Sequence, residues 1–161
     1  MIPATFEETL SLGPERLRVR QEFISASEYI EFLARTDLGK QYPKEDFVER
    51  VTVLVKNVQI SLVARNCEQR IVAVCFGLTD FAYWLFVTDL GVDRGYERLG
   101  IGKRLMEVAH QLAGGEKRIV QCCYANDKAM AFYDKLGMRQ STDVMEKDNV
   151  QWTSFAVGEH D

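Results

Sequence analysis

The stretch that decides the fold is "GVDRGYERLGIGKRLMEVAHQL", Gly91–Leu112. It leaves an apolar run, passes a loop with the basic side chains Arg94, Arg98, Lys103 and Arg104, and enters an amphipathic segment. Gly100 and Gly102 stand where a helix should already be winding. Glycine there costs up to about 1 kcal/mol per residue against alanine. A loop that feeds a helix start exposes backbone N–H groups without intrahelical partners, and the helix dipole adds positive charge to them. Such a turn suits a phosphate when no side chain blocks the approach.

Other phosphate motifs fail here. A P-loop places lysine where Ile101 stands. A dinucleotide fingerprint needs a third glycine at Leu105, and a following strand with a ribose-binding acid, which "VAHQLAGGEK" does not offer. A tight strand–helix packing turn remains the alternative use for the two glycines.

Outward from the loop, the chain reads as alternating elements. "RLRVRQEF" (Arg16–Phe23) alternates as a first strand. Ser25 with Glu28 resembles a capping box, opening a helix over Glu28–Arg35. Pro43 suits the first turn of a second helix, with Phe47, Val48, Val51 and Leu54 on its buried face. "QISLVAR" and "RIVAVCFGL" flank the polar "NCEQ" as a hairpin, and "YWLFVTDLGV" follows as a strand. After the loop, Ile101, Leu105, Val108, Ala109 and Leu112 fall at helical spacing up to Gly114-Gly115. "KRIVQCCYA" is a further strand and "NDKAMAFYDKLG" a further helix. The tail alternates through "STDVM" and "VQWTSFAV", which predicts a last hairpin. The fold class is therefore α/β (α+β): a mixed sheet with helices on its faces.

Composition bounds the rest. The chain has 161 residues, 47% apolar and 27% charged, with net charge -4, which fits one globular domain over residues 1–161. No basic excess points to nucleic acid. The run "FAYWLFV" is far too short to span a membrane, and the first residues lack the layout of a signal peptide. Cys67, Cys75, Cys122 and Cys123 have no metal-ligand spacing, and adjacent Cys122 and Cys123 read as strand residues in the core. A reduced, cytoplasmic protein without a metal is the simplest expectation.

The segment "VDRGYERLGIGKRLM", the strand "RIVQCCYA" and then "NDKAMAFYDKLGM" together resemble the GNAT superfamily of acyl-CoA-dependent N-acyltransferases. The family pattern is R/Q-x-x-G-x-G/A, followed downstream by N-x-x-A-x-x-x-Y-x-x-x-G-F/M. Gly100, Gly102, Asn126, Ala129, Tyr133, Gly137 and Met138 match it, and the resemblance covers Leu85–Met138. One position departs: Glu97 stands where the family has Arg or Gln, and a carboxylate beside a diphosphate is unfavourable.

The resemblance implies a GNAT-like sheet of about six to seven mostly antiparallel strands, with acetyl-CoA as cofactor. Backbone groups of Leu90, Gly91 and Val92 would hold the pantetheine arm. The stretch Glu97, Arg98, Leu99, Gly100, Ile101, Gly102 and Lys103 would carry the pyrophosphate, mostly on main-chain amides. Asn126 would cap the last helix and touch the cofactor; Ala129 lies on the same helix, and Phe132 is a core residue or a wall for the cofactor. Tyr133 would act as general acid for the departing thiolate, against an alternative of core packing. Asp89 is the nearest candidate base, with Glu22, Glu31 or Tyr83 as possible neighbours in space, against an alternative of a structural hydrogen bond. His110 reads as an ordinary helix position, and no Ser-His-Asp or Cys-His set can be assembled for an acyl-enzyme.

The implied function is transfer of an acetyl group to a primary amine by direct attack. A non-catalytic acyl-CoA sensor of the same fold is the alternative. Tyr29, Phe32, Tyr42, Glu45, Trp84 and Trp152 suggest a partly aromatic acceptor cleft, open to a small-molecule amine or to a protein or peptide amine. Edge strands and the tail would allow a homodimer.

Overall fold

A computed structural model describes residues 6–158. The chain begins with a hairpin: β1 (Glu7–Leu12) pairs with β2 (Glu15–Gln21) across a Gly13-Pro14 turn in which Gly13 takes φ +63°. The expected first strand, Arg16–Phe23, is thus β2 shifted slightly, and β1 was not anticipated. Its signal was the Gly-Pro punctuation between two alternating runs. Glu7 bridges Arg18 at 2.9 Å across the pair.

Helix α1 (Ala26–Leu33) opens on the expected capping box, with Glu28 N–H donating to Ser25 Oγ at 3.2 Å and Ser25 N–H to Glu28 Oε2 at 3.0 Å. A 3-10 turn (Asp37–Gln41) leads to α2 (Phe47–Asn57). Pro43 is not in that helix; it forms an isolated bridge to Ser154. Nor is Val48 on the buried face, being 62% exposed, while Val51 and Val55 are buried. β3 (Ile60–Arg65) and β4 (Ile71–Thr79) form the expected hairpin, followed by β5 (Trp84–Val92), α3 (Ile101–Ala113), β6 (Val120–Cys123) and α4 (Met130–Lys135).

The six strands lie in sequence order, antiparallel except for β5–β6. That parallel pair needs a crossover, which α3 supplies. Alternation along the central strands buries both faces. Leu62, Ala73 and Cys75 face Ile101, Leu105 and Val108 of α3, whereas Val63, Val74 and Phe76 face Tyr29, Phe32 and Val55 of α1 and α2.

The expected C-terminal hairpin is absent among the described residues. Its alternating segment leaves Val144, Met145 and Val150 exposed, Met145 by 94%. Alternation makes a strand only when a ladder partner and a buried face accept it; "STDVM" has neither among the described residues, and "VQWTSFAV" makes only the single bridge of Ser154 to Pro43, with Val157 buried. Cys122 also departs from expectation: it is exposed, because β6 is the edge strand and only one of its faces is covered.

Candidate active site

The site grows from an irregularity in β5. In the pairing with β4, Asp89 lies opposite Phe76 but Val87 lies opposite Gly77, so Thr88 is an extra residue, a β-bulge. The bulge flips the faces of the strand. Leu85 and Val87 below it belong to the α3 side of the core. Asp89 above it turns to the α1–α2 side, and Leu90 and Val92 pack on the α3 side.

β6 pairs with β5 only over Trp84–Val87, so Thr88–Val92 run on with a free edge where the two parallel strands part. Asp93 N–H donates to Val72 O at 2.8 Å, toward β4. By the alternation of an antiparallel ladder, the N–H and C=O groups of Leu90 and Val92 then face the opening. Buried backbone groups of this kind need a partner. Gly91 has another reason to be glycine: its backbone pairs with Val74, and a Cβ there would sit 2.9 Å from Leu38 Cδ2 and 3.3 Å from Phe32 Cε1.

The glycine loop lies at the end of the same strand. Gly100 takes φ +82° as the residue before α3, and Arg98 takes φ +64°. A side chain at Gly100 would meet nothing within 4 Å, so the backbone conformation is what demands glycine there. Gly102 is different: a Cβ would lie 3.3 Å from Phe132 Cζ, so its bareness lets α4 pack on the start of α3. No side chain caps α3, which leaves the N–H groups of Ile101, Gly102 and Lys103 pointing out of the helix start. Glu97, Arg98 and Leu99 are exposed beside them.

Two of the loop's basic residues are otherwise engaged. Arg104 binds Glu8 at 2.5 Å and Glu107 at 3.1 Å, and Arg94 binds Asp37 at 3.1 Å and the Thr36 carbonyl at 2.9 Å. Arg98 and Lys103 make no ion pair within 4 Å among the described residues, and they supply the mobile positive charge at this helix start.

Asn126 Oδ1 accepts from Ala129 N–H at 2.9 Å, capping a turn over 127–129 that runs into α4. Phe132 and Tyr133 stack edge-to-face at 5.0 Å, Phe132 against Gly102 and Tyr133 over the α3-side core. The Tyr133 hydroxyl lies beside the thiol of Cys123, the last paired residue of β6, at the mouth of the strand opening. Burial, then the neighbouring Cys123, push its pKa up, so the phenol stays protonated.

On the opposite face, Asp89 is 6% exposed. Tyr42 Oη donates to its Oδ1, and Thr88 Oγ1 donates to Oδ2 at 2.7 Å. Tyr29 Oη lies 2.9 Å from Tyr42 Oη; since Tyr42 has given its proton to Asp89, Tyr29 is the donor of that pair. Burial raises the Asp89 pKa above the usual carboxylate range, although the hydroxyl donors oppose the shift. Burial and the Asp89 charge push both tyrosines well up.

None of the expected neighbours of Asp89 is hydrogen-bonded to it. Glu22 is held by Arg65 at 2.5 Å, Glu31 by Arg35 at 2.9 Å, and Tyr83 is exposed. Thr88 and Tyr42 replace them. A bulge is invisible in the string "FVTDLG", so Thr88 carried no signal; Tyr42 was singled out only as an aromatic of the acceptor region.

Asp89 forms part of the wall of a cavity of about 460 Å³. Of the expected acceptor residues, Tyr42 and Trp152 line it; Tyr29 and Phe32 are fully buried behind, Glu45 turns to Thr153, and Trp84 lies outside its lining. Phe47, Arg50, Phe86 and Tyr124 are among its other lining residues. His110 is structural, its Nε2 bonded to Ile119 O at 2.7 Å.

The chain belongs to the acetyltransferase (GNAT) family, which it matches over residues 27–138. Solved structures agree on the fold. An acetyltransferase of Trypanosoma brucei superposes with TM-score 0.59 at 20% identity, covering 82% of this chain and 99% of that one. An aminoglycoside N-acetyltransferase in complex with CoA, AAC(6')-Iy, gives 0.63 at 11% identity, covering 87% and 99%. Glucosamine-6-phosphate N-acetyltransferase of Arabidopsis thaliana gives 0.59 at 15%, covering 83% and 99%. At such identities the likeness shows the fold alone. No curated protein matches the sequence. No helix among the described residues is long and apolar enough to cross a membrane.

Proposed function

We propose that this protein is an acetyl-CoA-dependent N-acetyltransferase that acetylates a primary amine by direct attack in a ternary complex. One observation carries the reading: the free edge of Thr88–Val92 has Tyr133 on one side of the sheet and Asp89, in its cavity, on the other. Donor and acceptor can therefore reach one opening from opposite faces.

Acetyl-CoA fits the residues present. Its diphosphate suits the bare N–H groups of Ile101–Lys103 with Arg98 and Lys103 alongside. Its amide-rich arm suits the outward backbone groups of Leu90 and Val92, which its own amides would satisfy. It supplies an activated acyl carbonyl. Glu97 is exposed at the loop, where water screens it, so its unfavourable effect on affinity is modest.

The chain's residues then divide the proton chemistry. An alkylamine arrives protonated, with pKa near 10 like lysine. Asp89 has lone pairs left after its two hydroxyl donors, so it holds the ammonium and accepts the proton that must leave before attack. The nitrogen forms its bond to the acyl carbon as the carbon–sulfur bond breaks. The Tyr133 hydroxyl gives its proton to the departing sulfur and regains one from the nitrogen through water. Positioning and this acid catalysis need no acyl-enzyme.

The test is thiol release from acetyl-CoA with a broad panel of amines, beside calorimetric titration of acetyl-CoA. Turnover with some amine, and a rate that vanishes without one, supports the reading. Tight cofactor binding with no turnover of any amine would make the protein a sensor instead.

A further inference from the structure

The cavity beside Asp89 narrows the acceptor; this inference rests on the acetyl-transfer reading above. Its charged lining residues are Asp89 and Arg50. Asp89 is buried and takes its hydrogen bonds from neutral hydroxyls, so no cation among the described residues is bonded to it. An ammonium brought by a ligand would be its first cationic partner, and an unpaired buried carboxylate gains most from one.

Most of the remaining lining is apolar or aromatic, with Gln41 and Thr88 as polar exceptions. Phe47, Phe86, Tyr124 and Trp152 line the space, with Phe86 and Tyr124 edge-to-face at 5.7 Å. Trp152 is a fixed part of this wall. The next residue, Thr153, donates its N–H to Glu45 at 3.0 Å and accepts from Lys44 N–H at 2.9 Å, and Ser154 bridges to Pro43. Aromatic walls of this kind recognise flat apolar bodies by burial and ring contact.

Arg50 is the cation of the lining. It lies on α2 and makes no ion pair within 4 Å among the described residues, although its charge acts on Glu45, which is turned to Thr153. A second ammonium on the acceptor would have no second carboxylate in the lining and would meet this guanidinium. Like charges sharing one cavity repel, all the more where walls exclude water.

We propose that the acceptor is a primary monoamine with an aromatic body, its ammonium on Asp89 and its far end neutral or anionic beside Arg50. Polyamines, aminoglycosides and lysine-rich peptides are poor matches, since each brings several positive charges to a lining with one carboxylate.

The experiment measures thiol release by the full chain at saturating acetyl-CoA. The probes are 2-phenylethylamine, ethylamine, p-xylylenediamine, spermidine, kanamycin and a lysine peptide. Burying the ring predicts kcat/KM for 2-phenylethylamine on the order of 10²-fold above ethylamine. The second ammonium of p-xylylenediamine lowers kcat/KM about tenfold against 2-phenylethylamine. Arg50→Glu then raises the ratio of p-xylylenediamine to 2-phenylethylamine about fivefold. Trp152→Ala, at a half-exposed position that the core does not depend on, narrows the phenylethylamine-to-ethylamine preference at least roughly threefold. Faster turnover of spermidine, kanamycin or the peptide than of 2-phenylethylamine would overturn this acceptor class and leave acetyl transfer standing. An unchanged ratio in Arg50→Glu would overturn the role of Arg50 in the same way. If acetyl-CoA binds and no amine of the broad panel releases thiol, the acetyl-transfer reading fails, and this inference with it; if other amines of that panel turn over and 2-phenylethylamine does not, this inference alone fails.

Discussion

The two faces of β5 above Thr88 are built in different ways. On the α3 side the groups left open are mostly main-chain: Leu90 and Val92 at the strand edge and Ile101–Lys103 at the helix start, with the Tyr133 hydroxyl, which we propose as the acid, beside them. On the α1–α2 side they are nearly all side chains, drawn from the 3-10 turn, α2, β5, the end of β6 and the tail. A cofactor that is the same for every member of a fold can be met by backbone. An acceptor that differs from protein to protein has to be met by side chains. Substitutions on the first face should therefore act on cofactor and chemistry, and those on the second on the amine.

The largest effect is expected from Tyr133→Phe. Loss of the acid should lower kcat roughly 10²–10⁴-fold, while the Kd for acetyl-CoA by calorimetry stays close to wild type. Unchanged kcat would return Tyr133 to a packing role over Cys123 and break the division at its catalytic point.

Asp89→Asn comes next. It should lower kcat/KM for the amine on the order of 10²-fold, with acetyl-CoA affinity unchanged. The same variant has a stability signature. Because burial raises the folded-state pKa of Asp89, its ionised form disfavours folding. Wild type should gain stability relative to Asp89→Asn as pH falls through that raised value toward the ordinary one near 3.9, and lose the gain as pH rises again. Paired thermal melts between pH 8 and pH 4 measure it. A pH-independent difference would mean that Asp89 keeps an ordinary pKa.

Gly100→Val sharpens the backbone side. A β-branched residue at φ +82° costs about 1–2 kcal/mol or more, which the loop relieves by turning its N–H groups away. The Kd for acetyl-CoA should rise about tenfold or more, with amine selectivity unaltered. The smallest effect is expected at Val48, which helical spacing puts on the buried face but the structure leaves exposed. Val48→Ser should change stability by less than about 0.5 kcal/mol; a loss of 2 kcal/mol or more would restore it to the core.

The same division explains what could be read in advance. The Gly100–Gly102 loop, the capping box at Ser25 and the helix face from Ile101 to Ala109 are local events, set by residues a few positions apart. Asn126, Tyr133 and Gly137 fall within one short stretch, the turn before α4, α4 itself and the residues just after it, so a single motif spans them. The partners of Asp89 were not, since Tyr42 lies 47 positions away in sequence and only a bulge at Thr88 turns the carboxylate toward it. Spacing also misled at Val48, which the structure leaves exposed, and in the tail after Ser141, where alternation met only the isolated bridge of Ser154 to Pro43 and no hairpin ladder.

By itself the sequence determined the order of elements from β2 to α4, the glycine-built turn before α3 and the phenol on α4, because backbone conformation and helical period are short-range properties. The tertiary structure alone decided that β5 and β6 part after Val87, that Asp89 faces a cavity ringed by aromatics, and that the tail near Trp152 closes its side. Those features depend on a ladder register and on contacts between segments far apart in the chain, and no local pattern encodes either.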